Sequence, residues 1–507
     1  SAMAVGNDYP VYTGEQSDKI IFNDGATHTV ILRDLKIDRH HWFYDNGSAI
    51  DISNNTTVTL ILEGTNSLTG DTNSPAIWVE SGSSLIIEGD GELRAQAGTA
   101  SAGFGAAGIG GGYDGDFGDI TINGGIITAG GTVGGAGIGA GYEVNIGASQ
   151  TGNITINGGY VKAIGGSIVA DSSAGAGIGA GENANYGGTI TITGGVVYAQ
   201  SGKEEMASIG GGGRIIGDTD HGTFSTGTNG NAVIVAPNGI GANQNASEWD
   251  GIFVSYKSGE NSATMDRNGD VTLNDSDANI QVWGKPVLDY DLTVDSGTTL
   301  RITANDRNKK SATLTMENGS TLTNDGTIEL GTSSIPGVAA DTSYLILKGG
   351  KDDTDGNGSL NVTAPAAVKL PLTKELVTFA PESPVKYSGE EQKPSVTVKL
   401  KDLWGYDQEF IVDQDYTQDS PQGEVKNAGR YTYTLESTKS GNLLGTDTVE
   451  VDYIIDPADL TVTMPQSWTI WDKEQDPLSK LPTTPTSVIS QSARGYEGEI
   501  TDGKITW

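Results

Sequence analysis

Four times in the middle of this chain a glycine-rich phrase returns: AAGIGGG at Ala106, GAGIGAG at Gly135 and again at Gly175, and ASIGGG at Ala207. Each copy leads into an alternating run, DITINGGIITAGG, NITINGGYVKAIGG, TITITGGVVYAQSG and GTFSTGTNGNAVIVA, and successive copies lie about 30 to 40 residues apart. A repeat of that length cannot bury its own apolar face, so it gains stability only by stacking on its neighbours. No helical periodicity competes with this pattern.

Within each unit, runs of two to five residues rich in Ile, Val and Thr are separated by Gly or Asn-Gly pairs. That is the local signature of short strands joined by tight turns, and three strands per unit make one coil of a parallel β-helix. Ile109, Ile138, Ile178 and Ile209 then stack inward as a ladder, as do Ile120/Ile122, Ile154/Ile156 and Ile190/Ile192. The paired glycines take the turns that need positive φ or close approach of coils. A less glycine-rich form begins upstream, in SAIDISNNTTVTLILEGTNSLTG and PAIWVESGSSLIIEGDGELRAQAG, and DKIIFNDGATHTVILRDLKID reads as the first coil. After Ala236 the repeats loosen but remain strand and turn, so the predicted solenoid occupies 10–363, behind a tag and extension at 1–9.

With 30 Lys+Arg against 65 Asp+Glu, the 507 residues carry a net charge of −35. That charge repels phosphate backbones and anionic lipid, which argues against nucleic acid and leaves cations, neutral glycans or basic partners. The chain has no cysteine, which removes disulfides, thiolate zinc sites and cysteine nucleophiles together. No apolar stretch approaches the roughly 18 to 20 residues of a membrane span, so no direct membrane insertion is expected. A GxGxxG leading into a helix, a P-loop, GxSxG and HExxH are all missing, which removes the common nucleotide-binding and hydrolase signatures.

The ordered set SAIDI, VTLILEGTNSL, PAIWVESGSSLIIEGDGEL, AGIGGG, ITINGG and GTFSTGTNGNAVIVA covers about two thirds of the chain. It resembles the β-helix surface proteins of Gram-positive, often gut, bacteria that are described as carbohydrate-binding domain-containing. The resemblance implies a right-handed parallel β-helix, a glycan or polysaccharide partner and an extracellular, surface-anchored life. A signal peptide and an anchor would then lie outside this sequence, in which Ser1-Ala2-Met3 reads as a cloning remnant. The oligomeric state is open with a monomer favoured, and the resemblance assigns no catalytic residue.

From Ala364 glycine thins out, and APAAVKLPLTKE reads as a linker at 364–375. Residues 376–457 resemble the immunoglobulin-like repeats that form stalks on bacterial surface proteins, with Tyr387-Ser-Gly, Pro394-Ser-Val, Asp415-Tyr416, NAGRYTYTL and VDYIID as their marks. Short alternating strands at roughly 8 to 12 residue spacing support a β-sandwich independently. LTVTMPQSWTIWDKEQDP opens a partial or atypical second module at 458–507.

Aligning the units places YDGDFGD, YEVNIGASQTGN, ENANYGG and RIIGDTDHG at one corner of successive coils. The expected result is a surface strip holding Asp114, Asp116, Asp119, Glu143, Glu182, Asp218, Asp220 and His221, with Tyr113, Phe117, Tyr142 and Tyr186 among them. Coils about 4.8 Å apart put carboxylates of neighbouring coils near the roughly 5 to 5.5 Å of a retaining glycosidase, and those two coils apart near the inverting separation of about 6.5 to 9.5 Å. Asp114, Asp116, Glu143 and Glu182 are therefore the catalytic candidates. The same oxygens also suit solvated turns, Ca2+, or a glycan held against the tyrosines.

A second constellation, DRHHWFYDNG, gathers His40, His41, Trp42 and Tyr44, with Trp78 one coil later. It reads either as flat apolar faces and hydrogen-bonding groups for a sugar or as a plug for the open end of the solenoid. Asp266, Asn268 and Asp270 alternate around Gly269, loosely like a Ca2+ turn, and Ca2+ is the one cofactor the sequence suggests; Trp249 and Trp283 are core or site. The leading expectation is an adhesin-like glycan-binding head on a stalk. A glycoside hydrolase is the enzymatic alternative, and a structural spacer the third.

Overall fold

The computed structural model describes residues 9–458 except 40–46, 101–104, 114, 144–147, 168–173, 213–220, 229, 242–248, 256–258, 260, 305–310, 332–340, 350–355 and 446; beyond them it describes the backbone of Ile489–Gln491 and Glu497–Glu499. The side chains of 148–150, 184–187 and 221 also fall outside the described set. The fold is all-β with large parallel sheets, consistent with a β-helix, and one 3-10 turn at Lys374–Leu376 is the helical element among the described residues. The chain divides into two compact units, Ser1–Val368 and Lys369–Trp507.

In the first unit a narrow sheet of seven short strands runs in chain order from Ile20–Phe22 through Ile50–Ile52, Ile77–Val79 and Ile109–Gly110 to Ile209–Gly210. The expected ladder is present, with Ile109 opposite Ile138, Ile138 opposite Ile178 and Ile178 opposite Ile209, all fully buried. Ile120, Ile154 and Ile190 form another line, inside a larger sheet. Strands such as Thr57–Glu63 alternate buried and half-buried residues, as one-sided burial on a pleated strand requires. At Gly139 φ is +132° and a Cβ would stand 2.0 Å from the carbonyl oxygen of Gly179. The narrow strands therefore carry glycine because the next coil already fills that space.

Polar side chains bind one coil to the next on the outside. The Asp119 carboxylate accepts from the Asn153 backbone and amide nitrogens, both at 3.0 Å, and Asn153 Oδ1 accepts from the Thr189 backbone at 3.1 Å. Glu88, Asn123, Asn157 and Thr193 make a parallel chain of such bonds.

Among the described strands of the first unit two pairings are antiparallel, Ala263–Met265 with Val271–Leu273 and, at the joint between two stacks, Gly251–Ser255 with Asn279–Trp283. Gly251–Ser255 pairs in parallel with Val233–Val235 on one side and antiparallel with Asn279–Trp283 on the other. Ile234 and Phe253 face the first core. Ile252 and Val254 point the other way and sit opposite Val282 and Ile280. From Ile280 a buried line continues through Leu300, Ile328 and Leu360. A second stack is thus built on the reverse face of the joining strand, since residues directly opposite share a face. Val196–Tyr198, Val233–Val235 and Gly251–Val254 are consequently buried on both faces. Such strands read as continuous apolar runs, and VVY, VIV and IFV do.

Aromatic rings close the first core at the joint. Phe224 meets Trp249 edge-on at 4.7 Å, while Trp249 and Phe253 stack on Trp283 at 5.3 and 4.0 Å. Trp249 and Trp283 therefore serve the core. In the second unit, Ser395–Leu403 pairs antiparallel with Val377–Ala380 and Tyr406–Phe410, and Gly429–Ser437 pairs antiparallel with Tyr416–Asp419 and Thr448–Asp456. Phe379 of the first of these sheets packs on Tyr433 and Tyr453 of the second, at 5.5 and 5.3 Å between ring centres.

Candidate functional site

At the corner following the narrow sheet, Tyr113 is 38% exposed and its ring lies 6.3 Å from that of half-buried Tyr142, with 16° between their planes. Tyr142 is held from below, because the Asn183 amide donates to its hydroxyl at 3.1 Å and to the Glu143 carbonyl at 3.3 Å. The backbone also ties these coils, with Glu143 N–H donating to the Glu182 carbonyl at 3.1 Å and Glu182 N–H to the Gly134 carbonyl at 2.6 Å. A Cβ at Gly134 would stand 2.7 Å from Glu182 Oε2 and 2.9 Å from the Tyr142 ring. Tyr142 and the Glu182 carboxylate therefore share the space that glycine leaves open.

Three of the predicted strip residues are placed differently from expectation. Phe117 is 1% exposed and belongs to the core, where its ring fills the space beside Gly152. It is the one large aliphatic or aryl anchor between Asp116 and Asp119, and burying it fastens an acidic loop to the solenoid. Glu143 and Glu182 are 7% and 1% exposed, not solvated turn residues, because the ladder that joins their backbones turns them inward. Asp116 and Asp119 do remain at the surface, where Asp116 accepts from Thr151 N–H at 2.9 Å and Asp119 from Asn153. Their work is to satisfy the turn of the following coil.

Trp78 lies half-buried on the outer side of the narrow sheet, opposite Asp51 and Gly110. Asp51 is paired with Lys19 at 3.0 Å. Asp114, His40, His41, Trp42, Tyr44, Asp218 and Asp220, and the side chains of Tyr186 and His221, lie outside the described residues.

Asp266 uses its carboxylate inside its own loop. One oxygen accepts from Asn268 and Asp270 N–H at 2.8 and 2.9 Å, the other from the Asn268 amide at 3.3 Å, and Asp270 accepts from Asp291 N–H at 3.3 Å. This is the geometry of an Asx turn. Among the described residues, no three His, Asp or Glu side chains are grouped to hold a metal ion.

The same loop closes a cavity of about 410 Å3. One wall is Met265–Gly269 from the second stack. The facing wall is the line Thr65, Glu92, Ile126 and Tyr160, one residue from each of four successive coils, flanked by Gly64, Gly89, Gly125 and Gly159. Neither Tyr160 nor Arg267 stands out in the sequence, because the groove exists only where the second stack lies against the first. Their alignment was readable within the repeats, since Ile126 and Tyr160 both follow an Asn-Gly-Gly turn. No family model, curated protein or solved structure matches this chain.

Proposed function

We propose that this chain is a surface-displayed, adhesin-like glycan-binding protein. In this reading the first unit is a right-handed β-helix with three strands per coil, and residues 376–457 form an immunoglobulin-like stalk module. The observation that carries it is the Tyr113–Tyr142 pair, two nearly parallel rings on successive coils at an accessible corner, one of them fixed by Asn183. Rings held on a rigid solenoid offer flat apolar faces to sugar C–H groups at little entropic cost. The charge of −35 favours neutral glycans over nucleic acid. Tyr113→Ala and Tyr142→Ala should each lower retention on a glycan array about tenfold, the equivalent of roughly 1.4 kcal/mol. Unchanged retention by the double variant would overturn the reading.

Glu143 and Glu182, paired through their backbones on adjacent coils, support hydrolysis as the second reading. A spacing of about 4.8 Å between coils is close to that of a retaining pair. Reducing sugar released from a neutral polysaccharide, and abolished in Glu143→Gln or Glu182→Gln, would replace binding with catalysis.

A further inference from the structure

We infer that the groove between the two stacks is a second binding site, for an extended neutral glycan chain lying along the stacking axis. The inference rests on the glycan-binding reading but assigns different residues. At about 410 Å3 the groove falls within the usual range of ligand sites, roughly 300 to 1,000 Å3. Its length comes from the repeat. Thr65, Glu92, Ile126 and Tyr160 are register partners on consecutive coils, so the line they form extends roughly 14 Å at 4.8 Å per step. That suits a chain better than a single sugar.

The floor is flat for reasons independent of any ligand. Gly89 has φ +96° and a Cβ there would stand 2.4 Å from the Leu62 carbonyl oxygen. Gly159 has φ +84° and a Cβ there would stand 2.5 Å from the Gly125 carbonyl oxygen. Coil stacking thus excludes side chains from the corner, and the absence of side chains leaves a channel beside the line of Ile126 and Tyr160. The opposite wall is stiff, because Asp266 takes the backbone N–H groups of Asn268 and Asp270 and fixes the turn that presents Arg267.

The chemistry of the walls selects the ligand class. Ile126 and Tyr160 provide apolar surface for C–H faces, while Asp90, Glu92, Asn268 and Arg267 provide acceptors and donors for hydroxyl groups. Three carboxylates, from Asp90, Glu92 and Asp266, line the groove against the one guanidinium of Arg267. A polyuronate would meet net repulsion there, whereas a neutral polymer pays no such cost.

The test is isothermal titration of the full chain with hydroxyethyl cellulose, galactomannan and xyloglucan, and with polygalacturonate as the anionic comparison. Expected is binding of at least one neutral polymer, reduced about tenfold in Tyr160→Ala and in Arg267→Ala, with polygalacturonate not bound. Arg267 is exposed, so its variant should keep the parent melting temperature and guards against a folding artefact at Tyr160. Binding that survives both substitutions but falls in Tyr142→Ala overturns the groove and leaves the glycan-binding reading standing. Preference for polygalacturonate overturns the ligand class, and no retention of any neutral polymer overturns the inference.

Discussion

In the first stack the last four narrow strands are Ile-Gly, and glycine lets backbones of successive coils approach so closely that no Cβ fits at Gly110, Gly139 or Gly179. In the second stack the ladders are Thr- and Leu-rich, as in Thr299–Thr303 and Thr327–Gly331. There the coil-to-coil contacts are made by carboxylates, with Asp270 accepting from Asp291 N–H and Asp291 in turn from Thr321 N–H at 2.6 Å. Both stacks bury aliphatic side chains in register along their ladders, as Ile120, Ile154 and Ile190 do in the first and Ile280, Leu300 and Ile328 in the second. Side-chain acceptors bridge successive coils in both, as Asp116 and Asp119 do in the first stack; what sets the first apart is the repeated Ile-Gly strand, whose glycines add a close backbone approach at every coil from Gly110 to Gly179. Glycine repetition is thus a sufficient sign of stacking but not a necessary one, which is why the second stack was the fainter signal.

The comparison can be broken most strongly at Gly139. Gly139→Val places a Cβ 2.0 Å from a neighbouring carbonyl at φ +132°, so a loss above about 4 kcal/mol is expected; denaturant melts that match the parent would refute obligatory glycine stacking. Trp249→Ala removes the ring that packs on Phe224 and Trp283 and should cost about 3 to 5 kcal/mol. Because those rings close the first core, calorimetry should then resolve two transitions; a single unchanged transition would show that the stacks do not depend on the plug. Leu330→Ala, buried at 1% in the second stack, should cost about 2 to 5 kcal/mol without altering the glycan binding proposed for Tyr113 and Tyr142.

The smallest effect is expected at Tyr290, whose hydroxyl donates to the Asn231 carbonyl at 2.7 Å and so links the stacks. Tyr290→Phe should cost about 0.5 to 1.5 kcal/mol near neutral pH. Burial, with Asp289 adding to it, pushes the Tyr290 phenol above its ordinary value of 10.0. The folded state therefore keeps a proton that the unfolded chain releases, and the contribution is intact below about pH 10 and lost as pH rises beyond it. Thermal melts from pH 8 into alkali should fall less steeply in Tyr290→Phe than in the parent; equal slopes would remove Tyr290 from the joint. Tyr433 and Tyr453, raised chiefly by burial, give the second unit the same direction of alkaline sensitivity.

Much of the architecture was legible in the residues. The isoleucines at 109, 138, 178 and 209 sit one per repeat, and stacking brings them into register. The candidate site was legible only in part. Tyr113 and Tyr142 could be placed at one corner because they occupy the same phase of the repeat. Phe117 could not be distinguished from them, since phase along a loop does not say whether an aromatic turns toward solvent or core. The burial of Glu143 and Glu182 was equally hidden, because it follows from a backbone ladder between coils.

Taken alone, the sequence determines the stacking itself: short β runs with glycine between them, repeated at a regular length, can bury their apolar residues only against copies of themselves. It also determines the acidic surface. Tertiary structure alone decided that the stack would turn over at Gly251–Ser255 and continue on the reverse face. A strand with apolar residues on both sides is compatible with either face becoming the next core, and only pairing with Asn279–Trp283 selects one. The groove beside Tyr160 and Arg267 is a consequence of that choice.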